Sequence, residues 1–170
     1  MNFISKLSDG IFIIEKYVVS ILVAVMCLVL FVSVALRYVF SAPLYWSGEV
    51  AIFSLVWVSF IGGSMGIKLE KAAAVTIVTD LLKGRIQKII IIVGWAVVVC
   101  FCAFLLFYSL KWISSPTMRI QKTDALHIPV IYPYLIIPIG FLSLTIHTLA
   151  KFFESLVSFK EKENASWESH

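Results

Sequence analysis

The run "YVVSILVAVMCLVLFVSVAL", Tyr17 to Leu36, contains twenty residues and no formal charge. As a helix rising about 1.5 Å per residue it covers roughly 30 Å, the thickness of a bilayer's hydrocarbon core. Its Ser33-Val34-Ala35 imitates a signal-peptide cleavage site, but apolar regions of signal peptides run only about 7–15 residues. A retained membrane span is the better reading. Three more apolar runs follow, Val50 to Ile67, Ile89 to Leu110 and Ile131 to Ala150.

Composition agrees with those four runs. Of 170 residues, 61% are hydrophobic and 14% charged, against about 45–50% and about 25% in soluble domains. A water-soluble fold would lack the polar residues to cover its surface. The net charge of +4 does not point to nucleic acid, because the cations flank apolar runs and form no basic stripe with stacking aromatics. Cys27, Cys100 and Cys102 all lie within apolar runs, with neither a redox nor a metal spacing, and read as structural.

Orientation follows from the Lys and Arg of the short connections. Ten fall on the side that holds both termini and four on the other, with five between 68 and 88 against one between 37 and 49. Both termini are therefore expected in the cytoplasm. Between spans two and three, Val75, Ile77, Val78, Leu81 and Leu82 alternate with polar residues. That pattern predicts a short amphipathic helix on the cytoplasmic face, with Lys83, Arg85 and Lys88 toward lipid phosphates. In the fourth span Pro138 offers no N–H to the carbonyl of Tyr134, so a kink is expected there. The outcome is an all-α integral membrane protein: one four-helix domain over 1–158, then a charged, disordered cytoplasmic tail over 159–170.

Chemistry is hard to find. Charges inside a bilayer are costly and persist mainly for function, and His147 is the one titratable side chain well within these runs. Alone, it reads as a hydrogen-bonded packing residue. A haem would need a second axial ligand on a facing span. His127 and Asp124 share a loop without further ligands. No catalytic residue, cofactor or metal site is expected. Packing surface is plentiful. Gly62 and Gly66, and Ser59 and Gly63, are small residues four apart, a spacing that permits close helix approach in lipid. A face with Trp46, Phe53, Trp57, Phe60 and Ser64 recurs at helical spacing on the same span, and meets either lipid or a partner.

Between the first two spans lies "RYVFSAPLYWSGE", Arg37 to Glu49, with both charge signs, a proline and four aromatics. Tyr38, Tyr45 and Trp46 suit an interfacial aromatic belt, and Glu49 suits a helix N-terminus. As a unit the stretch resembles the signature R-x-x-F/L-x-x-P-x-x-W-x-x-E of the small membrane subunit of TRAP (tripartite ATP-independent periplasmic) transporters. Arg37, Phe40, Pro43, Trp46 and Glu49 carry the match. "TDALHIP", Thr123 to Pro129, followed by "YPYLIIPIGF", is similar to a second motif of that family. The chain departs from it in having Gly48-Glu49 where an acidic pair is frequent, and no histidine in "EKAAAV".

The resemblance implies a scaffold subunit in a bacterial inner membrane. It would pair with a large membrane subunit that carries the sodium and substrate sites, and a periplasmic binding protein would deliver a sialic acid or a dicarboxylate. Arg37, Trp46 and Glu49 are expected to organise the outer ends of spans one and two, through an Arg37–Glu49 ion pair. Arg119 and Lys122 are candidates for docking the binding protein. A self-contained homo-oligomeric transporter is the alternative, and it would need a carboxylate within the spans.

Overall fold

A computed structural model describes residues 3–69 and 85–167. All of its regular elements are helices: α1 (Phe3–Val39), α2 (Ser47–Lys68), α3 (Arg85–Ile113), the short α4 (Pro116–Ile120) and α5 (Ile131–Tyr134), and α6 (Ile136–Trp167). Four segments are long and apolar enough to cross a membrane: Ile4–Val39, Ser47–Lys68, Ile89–Ile113 and Ile131–Val157. The four expected spans fall one within each. The expected amphipathic helix lies mostly outside the described residues.

The first helix begins far ahead of Tyr17. At 37 residues it measures roughly 55 Å, well beyond a bilayer core. Ser8, Asp9 and Glu15 do not end it, because their polar atoms bond to side chains of neighbouring helices. The backbone of α6 is likewise helical as far as Trp167, into the segment expected to be disordered; Lys and Glu, frequent there, are good helix formers.

Burial is inverted relative to a soluble domain. The buried set is rich in Ser8, Glu15, Ser54, Ser64, Ser143, His147 and Thr148, whereas Ile14, Leu28 and Phe31 are 64%, 64% and 73% exposed. Polar atoms face inward and apolar side chains outward, as lipid demands of its solutes. Thr145 and Thr148 bond back to carbonyls of their own helix, so neither leaves a polar group bare.

The hub is α6, which packs against α1, α2 and α3, while α1 also lies along α2. Gly140 makes the close approach to α2: a Cβ there would sit 3.0 Å from Cδ1 of Phe60. Phe60 also meets Phe141 edge-on, centroids 5.7 Å apart. Thus the face of α2 with Trp57, Phe60 and Ser64 belongs in large part to the chain's own core. By contrast, Cβ atoms on Gly62, Gly63 and Gly66 would meet nothing within 4 Å. Among the described residues, these glycines mediate no close helix approach.

The fourth span is interrupted at Leu135, one residue past Tyr134, where α5 gives way to α6. The indole N–H of Trp57 donates to the carbonyl of Pro133 at 2.8 Å. Trp57 thereby satisfies backbone beside the proline-containing break.

Candidate functional site

Polar contacts concentrate at two junctions, one at each end of the bundle. At the first, the chain leaves α1 through Ser41, in the left-handed region at φ 51°, and the amide of Ala42 reaches back to the carbonyl of Leu36. Ser47, buried at the start of α2, bonds to the Leu44 carbonyl and to Ser33 of α1, both at 2.7 Å. One serine thus joins the turn to both helices.

Facing that turn is the loop between α4 and α5. The amide of Thr123 bonds to the carbonyl of Ile128 at 2.9 Å, and that of Val130 to Gln121 at 3.0 Å. His127, at φ 53°, takes the left-handed conformation that histidine tolerates better than most residues. The amides of Asp124, Ala125 and Leu126 converge on one point, and the Glu49 carboxylate occupies it. Oε1 accepts from Asp124 at 2.9 Å and Ala125 at 3.3 Å, and Oε2 accepts from Leu126 at 2.8 Å. Backbone amides gathered this way form an anion-binding concavity, and hydrogen bonds to an ionised acceptor are among the stronger kinds.

This geometry corrects one expectation. Glu49 does not pair with Arg37 among the described residues; its carboxylate is taken by the 124–126 backbone, and Arg37 is exposed. Phe40 and Tyr45 are 70% and 84% exposed, and Pro43 also faces outward, while Trp46 precedes α2 without a side-chain cap. Among the described residues, the hydrogen bonds between the two resembling motifs all run through Glu49. Arg119 on α4 and Lys122 in the loop are exposed. Arg119 rims a depression of about 350 Å³ formed with Pro129, Ile131, Tyr132 and Leu135.

The second junction is one that the charge-free runs conceal. Lys68, at the end of α2, bonds to Asp9 at 2.6 Å and Ser8 at 2.7 Å, both on α1. Ser8 contacts Nδ1 of His147 on α6 at 2.7 Å, and Nε2 of that ring lies 3.1 Å from Glu15. The other oxygen of Glu15 accepts from Ser143, which accepts from Ser64. So His147 is a hydrogen-bonded packing residue, but it is not alone. Ser8 and Glu15 are seven residues apart, and Ser64 and Lys68, like Ser143 and His147, are four apart. A search for helical spacing of polar residues, rather than for charge-free windows, would have found the set.

Among the described residues, no buried side-chain nitrogen or oxygen lacks a hydrogen-bond partner, and no cluster of three or more His, Cys, Asp or Glu could hold a metal. Fold and junctions together define a multi-pass membrane protein whose polar groups join its own helices. Residues 26–158 match the family described as the DctQ component of tripartite ATP-independent periplasmic transporters, and the chain belongs to that family. It is a transporter subunit, not an enzyme.

Two relatives extend the comparison. The chain is 33% identical over 105 residues to the isethionate TRAP transporter permease protein DctMQ of Oleidesulfovibrio alaskensis, a match covering 59% of this chain and 16% of that longer protein. It is 25% identical over 158 residues to the C4-dicarboxylate TRAP transporter small permease protein DctQ of Vibrio cholerae serotype O1, covering 80% of this chain and 68% of that one.

Proposed function

We propose that the chain is the small scaffold subunit of a sodium-coupled TRAP transporter in a bacterial inner membrane, with both termini cytoplasmic. It pairs with a large membrane subunit that binds sodium and substrate, and a periplasmic binding protein supplies a carboxylate such as a sialic acid or a dicarboxylate. The observation that carries this reading is the match of residues 26–158 to the DctQ component of such transporters, in a chain whose polar clusters, Glu49 with the 124–126 amides and Lys68 with Ser8, His147 and Glu15, join its own segments. The two relatives are named for different small anions, which fits a subunit that leaves the choice of substrate to its partners.

Two surfaces fall into place on this reading. Ser59, Gly62, Gly63 and Gly66 lie on α2 with open space at the glycines, beside an apolar groove of about 350 Å³ that includes Phe60, Gly140 and Leu144. The large subunit packs there. Arg119 and Lys122, exposed beside the loop that Glu49 holds, serve the binding protein. Co-purification with the large subunit, then sodium-driven uptake in vesicles with and without this chain, tests the proposal. Uptake should require both membrane chains. Flux by this chain alone would make it a self-contained homo-oligomeric transporter instead. Reversing the charge of Arg119 or Lys122 should weaken docking of the binding protein while the membrane complex stays intact.

A further inference from the structure

The directions of the hydrogen bonds in the Lys68–Glu15 cluster follow from counting donors. An ammonium only donates, an ionised carboxylate only accepts, and a hydroxyl has one proton to give. Lys68 donates to Ser8 Oγ at 2.7 Å, so the Ser8 proton is free to point at Nδ1 of His147, also at 2.7 Å. That nitrogen then accepts, and the ring proton resides on Nε2, directed at Glu15 Oε2. On the other branch Ser64 donates to Ser143 and Ser143 to Glu15 Oε1. Both branches run one way and end on the same carboxylate.

We infer that Lys68 is a positioning residue which, through Ser8, holds His147 as the neutral Nε2–H tautomer and so fixes the clamp joining α1, α2 and α6. Among the described residues, the charged groups in this cluster with the ring are Asp9 and Glu15 on α1 and Lys68 on α2. Lys151 on α6 adds its charge near Asp9. An imidazolium would donate from Nδ1 to a hydroxyl oxygen that already receives Lys68, placing two cations on one atom. Which nitrogen carries the proton is set by the hydrogen bond of the other, and here that bond is set by a lysine two contacts away.

The test is ¹⁵N NMR of the full chain, histidine-labelled and reconstituted in lipid at neutral pH, with the His147 signals assigned by their loss in His147→Gln. The expected spectrum shows a neutral ring protonated at Nε2. Lys68→Met and Ser8→Ala each lose that single form, becoming a tautomer mixture or an imidazolium, while Lys68→Arg keeps it. Ser64→Ala, on the other branch, leaves it unchanged. A native ring protonated at Nδ1 would overturn the inference, and so would an unaltered spectrum in Lys68→Met. If Lys68→Met fails to fold, Ser8→Ala decides in the same way.

Discussion

Replacing Glu15 with glutamine keeps the shape of the side chain but exchanges one acceptor for a donor. In the native cluster one oxygen takes the Ser143 hydroxyl and the other faces His147 Nε2. The amide must present its NH₂ to one of them: to Ser143, whose hydroxyl then has to turn its proton away, or to the ring N–H, where two donors oppose. If it faces the ring, His147 cannot relieve the conflict by moving its proton to Nδ1, because Ser8 donates there. A buried donor left unsatisfied costs about 1–3 kcal/mol, and side-chain hydrogen bonds between helices in membranes average nearer 0.6 kcal/mol. About 1–2 kcal/mol is therefore expected for Glu15→Gln. Glu15→Ala removes both acceptors and leaves two neutral donors, the Ser143 hydroxyl and the His147 ring N–H, without their partner, so its cost rises to roughly twice that of Glu15→Gln, about 2–4 kcal/mol. Reversible denaturant unfolding of the purified chain in mixed detergent–lipid micelles, followed by circular dichroism, measures both. If both variants stay within about 0.5 kcal/mol of the native chain, as solvated surface positions do, Glu15 is merely a rim residue and the reasoning is refuted.

Three further outcomes are expected. Glu49→Ala should speed amide hydrogen exchange at Asp124, Ala125 and Leu126 by tenfold or more, on the order of what losing a charge-assisted anchor implies; unchanged exchange by mass spectrometry would contradict the clasp. Gly140→Ala should destabilise the chain by about 1–3 kcal/mol through overpacking against Phe60, whereas Gly63→Ala should be neutral or slightly favourable to the isolated chain; equal effects in a thermal-shift assay would remove the distinction between the two glycines. Trp57→Phe should cost about 0.5–1.5 kcal/mol by taking the indole donor from the Pro133 carbonyl, and denaturant unfolding will show no change if water serves that carbonyl equally well.

The spans were legible because lipid imposes length and apolarity on each segment independently of the others. The early start of α1 was not. Ser8, Asp9 and Glu15 look like the polar approach to a span until Lys68 and His147, more than fifty residues away, are seen to receive them. A rule that rewards charge-free windows hides residues whose charge is answered from another helix. The small residues illustrate a different limit. Spacing marks Gly62 and Gly66 as able to pack, but only the arrangement of helices shows that Gly140 is the glycine pressed against a neighbour. Glu49 stood out within its motif, and so did the segment from Thr123 to Pro129. That the first is seated in the second is a contact across some 75 residues, which local pattern does not encode.

The Glu49 seat has an evolutionary corollary. Because it is lined by main-chain amides, the grip on Glu49 does not depend on which side chains residues 124 to 126 carry, and the exposed ones, Asp124 and Ala125, can be retuned toward a new neighbour without loosening the tether. Proline is the one substitution ruled out on chemical grounds, since it would delete an amide from the cradle. A loop of that kind can change what it recognises while keeping where it sits.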